Sequence, residues 1–170
     1  MIGVPSRDVW YMLRHLGYDG DLYIGHDPDA ANLPYVAIRD TGGSPNPKWL
    51  RDEFTLQFRG KSTREDYAGG YAQLQNIKNK LLGVYTITMT DVVLDNGAEG
   101  VKIDDTLYYN YQQYTGSVVS EGKEIDYIRF LVMSDIIMIG QDDKNNYIFS
   151  LNMEVTREER QNTENRQILN

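Results

Sequence analysis

The chain has 170 residues, 41% of them hydrophobic, which is enough apolar material for one domain with a real core. Its net charge of −8 opposes general binding to nucleic acid, since neutralising phosphates takes a basic surface. With no cysteine in the chain, disulfides, thiolate metal sites and a cysteine nucleophile are excluded.

The acidity is uneven. Residues 1–85 carry ten basic and ten acidic side chains, whereas residues 86–170 carry seven basic against fifteen acidic. That asymmetry points to one acidic face or segment, or to an ordinary solvated surface. Apolar runs are only a few residues long, so no segment is expected to span a bilayer. The opening MIGVPSRDVW lacks the charged-then-apolar layout of a secretory signal, and assembly in the cytoplasm is the expectation.

Pro5-Ser6 reads as a helix start, with Val9, Met12, Leu13 and Leu16 on one face and Gly17 as the stop. Residues 22–25 read as a brief strand, followed by a polar turn around Asp27-Pro28-Asp29, and residues 35–39 as a second strand. Residues 40–52, DTGGSPNPKWLRD, then read as a long hairpin loop of Gly, Pro and Asn, a length that is usually functional. Phe54, Leu56 and Phe58 alternate with Thr55, Gln57 and Arg59, the mark of a strand with one buried face.

Ser62-Thr63-Arg64-Glu65 matches a capping box opening the main helix, whose core stripe is Tyr67, Tyr71, Leu74, Ile77 and Leu81, with Gly83 at its end. Gly69-Gly70 weaken that helix unless a neighbouring element needs close approach. From Tyr85 the chain is largely β. Leu94-Asp-Asn-Gly97 gives a turn, residues 106–119 are rich in Tyr, Thr and Val, and residues 128–139 are a long extended run interrupted at Ser134-Asp135. Residues 140–146 are turn chemistry, and residues 147–155 close a hairpin. The expected fold is α+β: a mostly antiparallel sheet with two helices packed on one face, residues 1–156 as one domain and residues 157–170 as a polar C-terminal arm.

Chemistry finds little footing. A phosphate loop needs glycine before its lysine, and here Pro47 precedes Lys48 while Trp49 follows. The acidic turn Asp19, Asp21, His26, Asp27 and Asp29 breaks the calcium-loop template, since Tyr23 and Ile24 fill its fifth and sixth positions. No G-x-S-x-G accompanies the two histidines, and His15 is placed on the outer face of the first helix near its C-terminus. The cluster Tyr108, Tyr109, Tyr111 and Tyr114 lacks interleaved basic residues, so it fits a protein contact or a half-buried sheet better than a nucleic-acid platform.

The order of these segments resembles the tail terminator proteins of long-tailed bacteriophages, sometimes labelled minor capsid proteins. Three stretches carry the resemblance: the loop Asp40-Thr41-Gly42-Gly43 before a strand with central Gln57, the helix with Tyr67-Ala68 and Tyr71-Ala72, and the closing strand with Ser150-Leu151-Asn152. The likeness covers residues 35–83 and 127–157, and residues 86–126 have no counterpart in it.

The resemblance implies a structural virion protein and no enzyme, cofactor or metal. It implies a homo-oligomeric ring, commonly a hexamer, at the top of the tail. Such a ring sits on the last ring of the tail-tube protein, stops tube growth and presents a surface to the head connector or neck. DNA passes through it without specific binding. On that reading Thr41, Gly42, Gly43, Pro45, Pro47, Trp49 and Arg59 are candidate subunit contacts, with a sheet edge as the other half of the contact. Trp49 alternatively folds back as a lid on its own sheet. Asp104 and Asp105, in a segment with eight acidic residues against two lysines, are candidates for lining the channel, the alternative being an outward acidic skirt. Two rival readings stand beside this one: another head–tail joining protein of the neck, and a small metal-dependent enzyme using the acidic turn between Asp19 and Asp29.

Overall fold

The structure, a computed structural model, describes residues 3–25, 32–46 and 51–159. Helix α1 (Pro5–His15) is followed by strands β1 (Leu22–Ile24), β2 (Tyr35–Asn46) and β3 (Arg51–Ser62), then helix α2 (Tyr67–Leu82). Strands β4 (Ile87–Leu94), β5 (Glu99–Ile103), β6 (Thr106–Tyr109), β7 (Gln112–Tyr114), β8 (Val118–Gln141) and β9 (Tyr147–Glu159) follow. Among the described residues the nine strands form one sheet in the order β1-β2-β3-β9-β8-β4-β5-β6-β7, in which only the β1–β2 pair is parallel. The α+β class and the mostly antiparallel sheet are therefore as the sequence indicates.

The sheet curls around α1. Pro5 starts this helix at a position where its missing N–H costs nothing. Val9, Met12 and Leu13 on its apolar stripe are fully buried, and Ser6, Asp8, Trp10 and Tyr11 are buried as well. A helix covered on nearly every side needs partners on nearly every side. Trp10 Nε1 donates to the carbonyl of Leu22 in β1 at 3.0 Å, while its ring meets Tyr111, beside β7, edge-on at 5.1 Å. Those two contacts bring the opposite ends of the strand order to one helix. A cleft of about 290 Å³ between Trp10, Leu22, Tyr23, Ile24 and Tyr111 remains where the ends face each other.

Helix α2 lies against β2, β3, β9 and β8 and touches α1. Its start differs from the capping-box expectation: Ser62 is the last residue of β3, and Asp66 caps the helix by accepting from Gly69 N at 3.1 Å. The ladder to β9 continues as far as Ser62↔Tyr147, and pairing with β9 outcompetes a helix start there. Leu74, Ile77 and Leu81 are fully buried, each worth about 2 kcal/mol in transfer terms. Tyr67 and Tyr71 are instead 52% and 44% exposed, resting edge-on against Phe149. Gly70 explains the glycine pair in part. A Cβ there would lie 2.8 Å from the Phe149 ring, and a Cβ on Gly60 of β3 would lie 3.0 Å from the Gly70 carbonyl. Helix and sheet touch through two residues without side chains.

Three strand boundaries also differ from expectation. The long hairpin loop at residues 40–52 is mostly strand, because β2 and β3 stay paired out to Asn46↔Arg51. The run at 128–139 is part of one 24-residue strand whose expected break is a set of bulges, at 132/134, 134/137 and 138/140. Strand β9 extends to Glu159, so residues 157–159 belong to the sheet and not to an arm. Residues 160–170 lie outside the described residues.

Candidate functional site

The segments that carry the sequence resemblance lie side by side as β2, β3, β9 and α2. Gln57 of β3 pairs with Asn152 of β9, and Gln57 Nε2 donates to Ser150 Oγ at 3.2 Å. Asp40 has a local task. Its carboxylate accepts from the backbone N–H of Ser6 at 3.0 Å and from the Ser6 hydroxyl. Val4, at the N-cap position, offers no side-chain cap, so a residue of β2 satisfies the first turn of α1 and places a negative charge at the positive end of its dipole. Asp40→Ala is expected to lower stability by about 1 kcal/mol, read as a shift in the urea midpoint at unchanged slope.

Thr41 Oγ1 donates to Thr55 Oγ1 at 2.7 Å across the hairpin, beside a bulge at Asp40/Gly42 where Gly42 adopts φ +115°. Gly43 approaches β3 so closely that a Cβ would lie 2.4 Å from the Glu53 carbonyl. An open groove of about 540 Å³ runs here, lined chiefly by Val4, Pro5, Gly42, Gly43 and Phe54. The structure thus brings Thr41, Gly42 and Gly43 to one exposed stretch of β2. Arg59 is elsewhere, half-buried in mid-sheet between Ala37 and Ser150. Pro45 belongs to β2 by its backbone, and Pro47 and Trp49 lie outside the described residues.

Across the sheet, β8 exposes an apolar row that sequence reading treats only as strand. Leu131, Met133, Ile137 and Ile139 are 42%, 57%, 57% and 47% exposed, beside a β9 whose Phe149, Ser150 and Leu151 are all buried. The signal was present in residues 128–141, IRFLVMSDIIMIGQ, which hold a single basic residue and a single acidic one. Asp135 accepts from Lys78 of α2 at 3.0 Å, so even that acid is engaged.

His15 is not on an outer face. Its Nδ1 meets Tyr108 Oη at 2.8 Å and its Nε2 meets Asp104 Oδ2 at 2.7 Å, because the β5–β6 hairpin folds over the end of α1. Asp104, in the left-handed region at φ +53°, is the first residue of the two-residue turn, with Asp105 the second. Both are exposed. The tyrosine cluster largely serves this same packing. Tyr108 is buried, Tyr111 stacks on Tyr11 at 5.7 Å, and Tyr109 meets Tyr114 edge-on.

Asp19 and Asp21 are exposed, and His26, Asp27 and Asp29 lie outside the described residues. Among the described residues no group of three or more His, Asp or Glu side chains is placed to hold a metal ion, and no helix is long and apolar enough to cross a membrane. In comparisons with known proteins, neither a family model nor a curated protein matches the chain.

Proposed function

We propose that the protein is a structural virion component that forms a ring on the end of a bacteriophage tail tube, stops tube growth and offers a surface to the head connector or neck. The observation that carries this reading is the set of exposed apolar side chains along β8. Leu131, Met133, Ile137 and Ile139, each about half exposed, lie within residues 127–157, one of the two stretches that resemble tail terminators. Exposed apolar rows of this kind mark protein contacts. The reading takes α1 and α2 as packed on one face of the sheet, which leaves strand edges and the opposite face for neighbours. It places the ring at the top of the tail, commonly with six copies, and has DNA pass without specific binding, with Asp104 and Asp105 as candidates for the channel wall.

The test is mass measurement in solution across a concentration series, alone and with the tail-tube protein of the same virus, together with electron microscopy of the tubes. The expected result is a ring of fixed stoichiometry on the ends of shortened tubes. Tubes that grow undiminished beside a persistent monomer would overturn the reading.

A further inference from the structure

We propose that the ring closes by continuing the β-sheet from copy to copy, with residues 129–132 of β8 in one copy pairing antiparallel with residues 42–44 of β2 in the next. This inference rests on the ring reading and names the surface through which the ring would form.

Both strands are only half covered. Strand β1 pairs with β2 at Val36, Ala37 and Ile38, and strand β4 pairs with β8 between Val118 and Tyr127. Beyond those limits, among the described residues, no further strand lies along either edge. An open edge presents a row of N–H and C=O groups ready to accept another strand. Proteins that must stay apart guard such edges with lysine, proline or inward charge. Residues 128–141 contain neither lysine nor proline, and their exposed positions are largely apolar. The β8 edge carries no such guard, and on β2 the open stretch ends at Ser44, because Pro45 has no N–H to donate.

The geometry selects the occupant. Gly42 pairs with Thr55, Thr55 with Glu154, and Glu154 with Leu131, so Gly42 and Leu131 stand in one row across four strands. Gly43 and Phe130 share the next row, and Ser44 and Arg129 the one after. The open stretches therefore flank the same four-stranded section at the same level. Each is also regular: β8 between its bulges at 127/129 and 132/134, and β2 after its bulge at 40/42. Three successive antiparallel pairings leave β2 and β8 running in opposite senses. With the ring axis running along the strands, rotation from copy to copy preserves strand sense, so β8 of one copy meets β2 of the next in antiparallel register. Edges at equal level need no rise along the axis. Such a head-to-tail contact closes a ring, whereas unequal levels would favour an open helix. Main-chain hydrogen bonds supply the pairing, as in other strand-addition contacts, and Leu131 and Met133 lose exposed apolar area.

The absence of cysteine gives a clean background for cross-linking. Thr41→Cys and Leu131→Cys are made separately and in one chain, then treated with a short bis-maleimide in the presence of the tail-tube protein. The expected result is cross-linking when the two single variants are mixed, none within either alone, and a ladder ending at the ring size for the double variant. Leu131→Lys should abolish ring formation while leaving the monomer's melting temperature unchanged. A ring by mass that cross-links only through Leu131→Cys to itself would show a two-fold β8–β8 contact and overturn the proposal. A ring by mass with no cross-link would also overturn it while leaving the ring reading intact. A chain that stays monomeric on tubes would overturn both.

Discussion

Replacing Arg157 by methionine is expected to cost about 3–5 kcal/mol of stability at neutral pH, the range for removing one partner of a buried ion pair. Arg157 stands at the centre of a cluster that fastens α1 to the sheet. Its Nη1 donates to the Gly3 carbonyl at 2.8 Å and to Tyr127 Oη at 3.2 Å, and lies 3.7 Å from Asp8 Oδ2. The guanidinium also sits 4.3 Å from the centre of the Phe54 ring. Asp8 is completely buried and Arg157 nearly so, which removes the solvent screening that makes surface ion pairs weak. Methionine keeps much of the stem's packing and removes the charge, so the loss isolates electrostatics and hydrogen bonding. Chemical denaturation followed by circular dichroism reads it out. A loss below about 1 kcal/mol would mean that Arg157 acts as little more than a surface cation.

Much of the fold was legible because its signals are local. Pro5 with the Val9, Met12 and Leu13 spacing sets α1, and alternation around Phe54, Leu56 and Phe58 sets β3. The failures share a cause, which is that long-range pairing overrode local chemistry. Gly42, Gly43 and Pro45 read as loop residues, yet the β2–β3 ladder carries through them. Ser62 reads as a helix cap, yet β9 claims it. His15 follows helix-surface periodicity, yet a hairpin nearly ninety residues away closes over it. The candidate contact was half legible. Thr41, Gly42 and Gly43 stood out by composition, whereas the β8 edge depends on where β4 stops, and no residue spacing encodes that. Asp8 was invisible for the same reason. An acid in the first turn of a helix is ordinary dipole chemistry, and only the curl of the sheet makes it a buried one.

That burial yields the second large effect, a stability that depends on the protonation of Asp8. Desolvation raises its carboxyl from 3.8 to about 6, against the lowering from the Tyr127 hydroxyl and from Arg157. Between those values the folded protein holds a proton that the unfolded chain releases. By linkage, the contribution is fully present below pH 3.8 and is lost as pH rises through about 6. The shift corresponds to about 3 kcal/mol. Above that window Asp8 is an anion kept in the core by Tyr127, whose hydroxyl donates to Oδ2 at 2.6 Å, and by Arg157. Asp8→Asn keeps an oxygen for Tyr127 and has nothing to ionise. The difference in unfolding free energy, wild type minus variant, should therefore fall by about 2.4 kcal/mol between pH 4 and pH 7, most of the full ~3 kcal/mol. Comparing the two proteins at each pH cancels the other carboxylates. A difference that stays flat across that interval would mean Asp8 ionises in the folded protein as it does in the unfolded chain. A difference that rises would mean Arg157 outweighs burial and holds the carboxyl below its ordinary value. In the Arg157→Met background the fall should keep its slope but extend to higher pH and so grow in total, because the cation that lowers the Asp8 carboxyl is gone while the burial that raises it remains.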